Sequence, residues 1–161
     1  MKIHLNSIVQ RSKNWFVSQD SFDISITDFR RNGRSINYNS IIREKVSIGF
    51  HGVYIISDTE SKEILYVGMS GQIKRLDNGE YGNGGYDIRK RLVSSRKKDE
   101  DGQDVSSSEF FKSEMKKESI DSITVTIFKT KNEVSPTFLE SQILQWIYSD
   151  SKKLPIWNKS F

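Results

Sequence analysis

The sequence contains no cysteine and only two histidines, His4 and His51. The lack of cysteine excludes disulfides, thiolate zinc sites and thiol nucleophiles, and two histidines are too few for a multi-histidine metal site. No apolar run approaches the roughly 20 residues of a membrane-spanning helix, and the start Met-Lys-Ile-His-Leu-Asn is too short and polar for a secretory signal. We therefore expect a soluble, cytoplasmic protein without a membrane partner.

Positive charge is concentrated near the N-terminus. The 161-residue chain has a net charge of +4, and residues 1–49 hold eight Lys and Arg against four Asp and Glu, so the remainder is balanced. A basic segment beside a neutral one suggests binding to a polyanion, because phosphate neutralisation supplies most non-specific affinity for nucleic acid. An ordinary solvated surface explains the same small excess equally well.

Residues 25–46, within this N-terminal extension, predict two short helices around a central turn. Ser25 or Thr27 would cap the first helix, Gly33 would end it, and Asn39 would cap the second. The pair could be a small DNA reader of the helix-turn-helix kind, or could simply pack on the rest of the protein. The basic residues that would contact DNA are Arg30, Arg31, Arg34 and Arg43.

Residues 52–68 predict a β-hairpin in which each strand carries one tyrosine and one glycine. Two β-prone apolar runs, Gly52 to Ser57 and Glu63 to Gly68, flank a short polar turn. On physical grounds alone, Tyr54 and Tyr66 could be half-buried strand residues with their hydroxyl groups in water.

The paired sequences Gly-Val-Tyr at 52–54 and Tyr-Val-Gly at 66–68 resemble the signature of the GIY-YIG nuclease family. The family pattern continues with an arginine on a helix, a glutamate on a later helix and an asparagine near the end. The matching residues are Arg91 in IRKRL, Glu140 in FLESQIL and Asn158 in LPIWN. The resemblance assigns residues 50–161 to a nuclease core and leaves residues 1–49 as the extension.

The remaining pattern predicts three helices and one strand after the hairpin. A helix over 87–98 would pack through Ile88 and Leu92, and the charged residues at its end, 96–98, would be solvated. A helix over 108–117 and a strand over 123–128 follow, and a last helix begins at Ser135-Pro136. We therefore predict an α/β (α+β) fold with a small, mostly antiparallel three-stranded sheet, flanking helices and a helical N-terminal extension.

Five of the ten glycines lie in residues 69–87, which the resemblance identifies as an insertion like those of restriction-type relatives. This loop lacks the Gly-Lys-Ser/Thr ending of a P-loop and the strand-then-helix frame of a dinucleotide site, so we expect no nucleotide cofactor. We expect Lys74, Arg75 and the nearby Arg89 to contact DNA.

The resemblance implies a division of roles in phosphodiester hydrolysis. Glu140 would hold one Mg²⁺ or Mn²⁺, although a lone glutamate in a first helical turn is ordinarily a partner of the helix dipole. Arg91 would bind phosphate, Tyr66 would act as general base, and Tyr54 would orient water or substrate. A phenol is a poor base at neutral pH unless a cation lies close to it. Asn158 would be a structural clasp.

Two positions depart from the family pattern. Some relatives have a lysine where this chain has Met69, and others have a histidine where it has Ser95. Lys74 is our candidate for the missing positive charge.

The predicted function is a Mg²⁺-dependent DNA endonuclease, specifically a type II restriction enzyme, with homodimerisation left open. Repair and homing relatives carry large extra domains, whereas this chain ends three residues after Asn158. The alternatives are a stand-alone phage or mobile-element nuclease that nicks DNA or prefers single strands, and a nucleic-acid-binding module with weak catalysis.

Overall fold

The computed structural model describes residues 4–94 and 96–161, which form an α+β fold. The helices are α1 (Leu5–Ser12), α2 (Asn37–Lys45), α3 (Ile88–Ser94), α4 (Ser107–Lys117) and α5 (Pro136–Ser151). The strands are β1 (Phe16–Ser25), β2 (Arg31–Asn32), β3 (Ser35–Ile36), β4 (Gly52–Asp58), β5 (Ile64–Ser70), β6 (Gln72–Arg75), β7 (Tyr81–Gly84), β8 (Arg96–Lys98), β9 (Asp104–Ser106) and β10 (Ser122–Thr130).

The central sheet is antiparallel and has four strands in the order β1-β10-β4-β5. The predicted three strands are all present, but the count of three was wrong because β1 pairs with β10 along its whole length. Most β1 side chains are exposed, whereas Ile24 is buried and Phe16 and Phe22 are half-buried against the core. A polar edge strand of this kind lacks the regular apolar alternation by which a strand is recognised in sequence.

Each face of the sheet packs against its own group of helices. On one face, Tyr54 and Ile56 of β4 join residues of α2, α3 and α4 in a buried cluster. On the other face, Val53 and Ile55 of the same strand join residues of α1 and α5. This division follows from the two-residue period of a strand, which sends neighbouring side chains to opposite faces.

The segment around Gly33 forms a small hairpin instead of the predicted helix end. Gly33 has φ of +65° and occupies the first position of the two-residue turn between β2 and β3, where glycine is favoured. Ser25 does cap a short 3-10 helix, Ile26–Phe29, through a capping box with Asp28. The predicted cap Asn39 was wrong, because α2 already begins at Asn37.

The helix predicted over 87–98 is shorter than expected. It ends at Ser94, and the charged run that we assigned to its solvated end forms β8, which pairs with β9. The turn between these strands contains Gly102 with φ of +77°. An Asp-Gly pair, here Asp101-Gly102, is a hairpin signal that the surrounding charges obscured.

The other predicted elements are confirmed within one or two residues at most of their ends: the β4–β5 hairpin, α4, β10 and α5. Among the described helices, none is long and apolar enough to cross a membrane.

Candidate active site

The two signature tyrosines meet on one face of the β4–β5 hairpin. Tyr54 is paired with Gly68, and Ile56 is paired with Tyr66, so the tyrosines are diagonal neighbours. Their ring centroids lie 5.9 Å apart. Tyr54 is fully buried and Tyr66 is half-buried. The alternative that both are half-buried strand residues with their hydroxyl groups in water was therefore wrong for Tyr54.

Gly68 provides the space that this pair occupies. A Cβ atom at Gly68 would lie 2.6 Å from Tyr54 Oη and 2.7 Å from Tyr66 Cε1, distances that real Cβ atoms do not show. Both rings occupy the space where the Cβ of any other residue would lie. Glycine is therefore required at this position of the Tyr-Val-Gly sequence, because a side chain would displace the rings.

Lys97 supplies a cation to the tyrosine pair. Its Nζ donates to Tyr66 Oη at 2.7 Å and lies 3.4 Å from Tyr54 Oη. The ammonium also lies 4.4 Å from the Tyr66 ring centroid. We predicted that Lys97 would be solvated at a helix end, and this was wrong because the β8–β9 hairpin turns the side chain toward the hydroxyl groups.

Arg91 reaches the same region from α3. Ile88 and Leu92 are fully buried, as predicted, and leave Arg91 at the border of the core. Asp87 caps the helix by accepting from Lys90 N at 2.7 Å and from Gly49 N at 2.8 Å. The charge of Arg91 acts on Tyr54 and on Glu140, so both lie within its electrostatic reach.

Glu140 approaches from the first turns of α5. It lines a cleft of about 230 Å³ together with Tyr66, Lys97 and Asn158. Burial raises the pKa of its carboxyl group above the usual range, while Arg91 and Lys97 act in the opposite direction. Within the described residues this carboxylate makes no hydrogen bond or ion pair. It is therefore available to a ligand in the cleft.

Asn158 makes the contacts of the predicted clasp. Its side chain accepts from Val67 N and donates to Val67 O, both at 2.9 Å, and so pairs with the open edge of β5 as a neighbouring strand would. The backbone N of Trp157 donates to Leu65 O at 2.9 Å. These bonds hold the strand that carries Tyr66.

We predict that Asn158→Ala destabilises the protein by about 1–3 kcal/mol, because it leaves the buried Val67 backbone groups without partners. Urea unfolding measures this loss. The exposed Asn14 is a matched control, and Asn14→Ala should stay within about 0.5 kcal/mol of wild type. Equal stability of the two variants would contradict a clasp.

The residues predicted to bind DNA lie on or beside four elements of the fold. Arg30, Arg31 and Arg34 are exposed around the β2–β3 hairpin, and Arg43 is exposed on α2. Lys74 and Arg75 are exposed on β6, whereas Arg89 is half-buried on α3. Lys74 lies against Gly84 of the facing strand. It does not line the cleft with Tyr66, whose lysines are Lys97, Lys98 and Lys159.

The two departures from the family pattern have different outcomes. Met69 lies in β5 and packs with the cluster beneath α5. Ser95 lies outside the described residues.

The carboxylates of the described residues do not form a multidentate metal cage. No group of three or more His, Cys, Asp and Glu side chains is assembled there. A single partly buried carboxylate still suits Mg²⁺, which keeps several waters and binds proteins through one or two carboxylates together with substrate phosphates. Glu140 fits this requirement because it faces the cleft and makes no ion pair with any residue that the structure describes.

No family model, curated protein or solved structure gives a significant match to this chain.

Proposed function

We propose that the protein is a metal-dependent DNA endonuclease of the GIY-YIG type. The observation that carries the proposal is the hydrogen bond from Lys97 Nζ to Tyr66 Oη in a cleft that also contains Glu140. A phenolic base requires a nearby cation, and the Lys97 ammonium is in place to serve as one. Lys97 lies in β8, which is not a position where the family resemblance leads us to expect a basic residue.

The reaction is hydrolysis of a phosphodiester bond. The oxygen of a water molecule bonds to phosphorus, the bond from phosphorus to one sugar oxygen breaks, and the leaving oxygen takes a proton from solvent. Tyr66 accepts the proton of the attacking water, and Lys97 holds the Tyr66 hydroxyl in position. Arg91 binds the phosphate with its planar fork of N–H donors and offsets the charge that develops on its oxygens.

Tyr54 has a supporting role. The pKa of Tyr54 is raised well above the usual range, mainly by burial and to a smaller extent by the neighbouring Tyr66. Its hydroxyl group is therefore neutral at physiological pH. A buried neutral phenol can donate a hydrogen bond to its neighbours but cannot take a proton from water. This environment favours Tyr66 over Tyr54 as the base.

Glu140 would hold the divalent cation. When bound, Mg²⁺ or Mn²⁺ acts as a Lewis acid toward the phosphate oxygens. Asn158 keeps β5, and with it Tyr66, in register with the cleft.

Digestion of a supercoiled plasmid with Mg²⁺ tests the proposal. Discrete bands are expected of a type II restriction enzyme, which is the form we favour. Nicked circles or a smear would indicate the stand-alone nuclease, and intact DNA over a range of pH and metal would contradict the proposal.

The arginines around the β2–β3 hairpin give a second test. If these arginines bind phosphates, replacing Arg30, Arg31 and Arg34 together by Ala should weaken DNA binding. The slope of log affinity against log salt concentration should also fall by roughly one unit for each phosphate that is no longer bound. Fluorescence anisotropy at several salt concentrations measures the slope. An unchanged slope, with unfolding by urea as in wild type, would assign these residues to the solvated surface.

A further inference from the structure

A second cleft adjoins the active site at Arg91. It has a volume of about 540 Å³ and lies between the base of the β6–β7 hairpin and α3. Gln72, Tyr86 and Lys90 line it together with Arg91. Because Arg91 is the proposed phosphate ligand, a chain of nucleotides bound at the active site would continue into this cleft.

Tyr86 presents an open aromatic ring to the cleft. The residue is 63% exposed. Lys90 Nζ lies over one face of the ring, 4.2 Å from its centroid, so a base would stack on the opposite face. An aromatic ring next to a cation is the combination that binds a base by stacking and its phosphate by charge.

The backbone that carries Tyr86 is fixed on several sides. Ser70 Oγ donates to Tyr86 O at 2.6 Å and to Asp87 O at 2.9 Å. His51 Nε2 lies 3.2 Å from Gly85 O. The Asn83 amide donates to Lys131 O at 3.0 Å and so ties the hairpin to the segment after β10. A backbone held in this way loses little conformational freedom when a ligand stacks on the Tyr86 ring.

The charge around the cleft suits a nucleic acid strand. Lys90 and Arg91 line it, and Lys74 and Arg75 extend the positive charge along β6. The nearest carboxylate in sequence, Asp87, is engaged by the backbone N–H groups of Lys90 and Gly49.

We propose that this cleft holds an unpaired nucleotide of the DNA strand, with its base on Tyr86 and its phosphate on Lys90, beside the phosphate bound by Arg91. The inference rests on the proposed nuclease function, which makes this strand the substrate. An unpaired base is required because both faces of a base inside a duplex are covered by its neighbours.

Fluorescence anisotropy with two labelled DNA probes tests the inference. One probe is a fully paired duplex, and the other is the same duplex with one unpaired nucleotide. The Glu140→Gln protein serves as the background so that the probes stay intact. It should bind the second probe more tightly. Tyr86→Ala should weaken that binding roughly 5- to 100-fold and remove the preference, whereas Tyr86→Phe should retain both.

Tyr148, which is exposed on α5, provides the matched control. Tyr148→Ala should bind both probes as the background does. Equal binding by the Tyr86→Ala and Tyr148→Ala proteins, or equal binding of both probes by the background, would overturn the nucleotide cleft.

Cleavage by the otherwise wild-type protein is recorded separately. Cleavage without an effect of Tyr86→Ala on binding would leave the nuclease function standing and remove the cleft. If the protein prefers the probe with the unpaired nucleotide, and loses this preference in Tyr86→Ala, but cleaves no DNA, the nucleotide cleft stands and the nuclease function is contradicted.

Discussion

Glu140→Gln should abolish DNA cleavage while leaving the fold and DNA binding intact. Glutamine keeps the size of the side chain but lacks the negative charge that Mg²⁺ requires. The carboxylate has no hydrogen bond or ion pair within the described residues, so its replacement breaks no such interaction there. DNA binding should be unchanged or tighter, because a negative charge is removed from the phosphate site. Plasmid cleavage and anisotropy measure the two quantities.

The exposed Glu133, which precedes α5, is the matched control. Glu133→Gln should cleave at the wild-type rate. Excess chelator should stop the wild-type enzyme, and robust cleavage in chelator or by the Glu140→Gln protein would contradict the metal role.

Glu140 should also set the acid limit of activity. Burial raises its pKa, so on acidification the carboxylate is lost at a higher pH than an exposed glutamate would be. Cleavage should therefore fall on the acid side before ordinary glutamates protonate, and more Mg²⁺ should extend it to lower pH.

Tyr66→Phe should slow cleavage by roughly 10²- to 10⁴-fold, the usual range for loss of general acid–base catalysis. Phenylalanine preserves the ring and its packing against Phe110 and Phe111 but removes the hydroxyl group. Tyr54→Phe should cost less, because that hydroxyl is buried. Single-turnover cleavage measures both rates.

The pH profile separates a base from a packing residue. If Tyr66 takes the proton, the wild-type rate should rise with pH, and the Tyr66→Phe protein should lack this rise. A near-normal rate with an unchanged profile would return Tyr66 to the role of an ordinary strand tyrosine.

Local sequence patterns were enough to predict the central hairpin and the helix that carries Glu140. The β4–β5 hairpin has two apolar runs around a polar turn, and α5 begins with Ser135-Pro136. Both signals depend on neighbouring residues only. The stripe of Ile88 and Leu92 predicted the packing of α3 for the same reason.

The contribution of Lys97 could not be predicted in this way. Its hydrogen bond with Tyr66 joins residues 31 positions apart in the chain and depends on the short β8–β9 hairpin. In sequence, Lys97 stands in a run of basic residues followed by acidic ones, a pattern typical of a solvated surface. The edge strand β1 was missed for a related reason, because most of its side chains face solvent.

The most direct test that Tyr66 and Lys97 form one catalytic centre is a double-mutant cycle. Single-turnover cleavage rates are measured for Tyr66→Phe, for Lys97→Ala and for the double variant. Groups that act as a unit are not additive, so the double variant should be about as slow as the slower single variant. Lys116, exposed on α4, is the matched lysine control, and Lys116→Ala should cleave as wild type does. A double variant whose loss equals the product of the two single losses would mean that Lys97 and Tyr66 act independently, and wild-type rates in all three variants would contradict the proposed centre altogether.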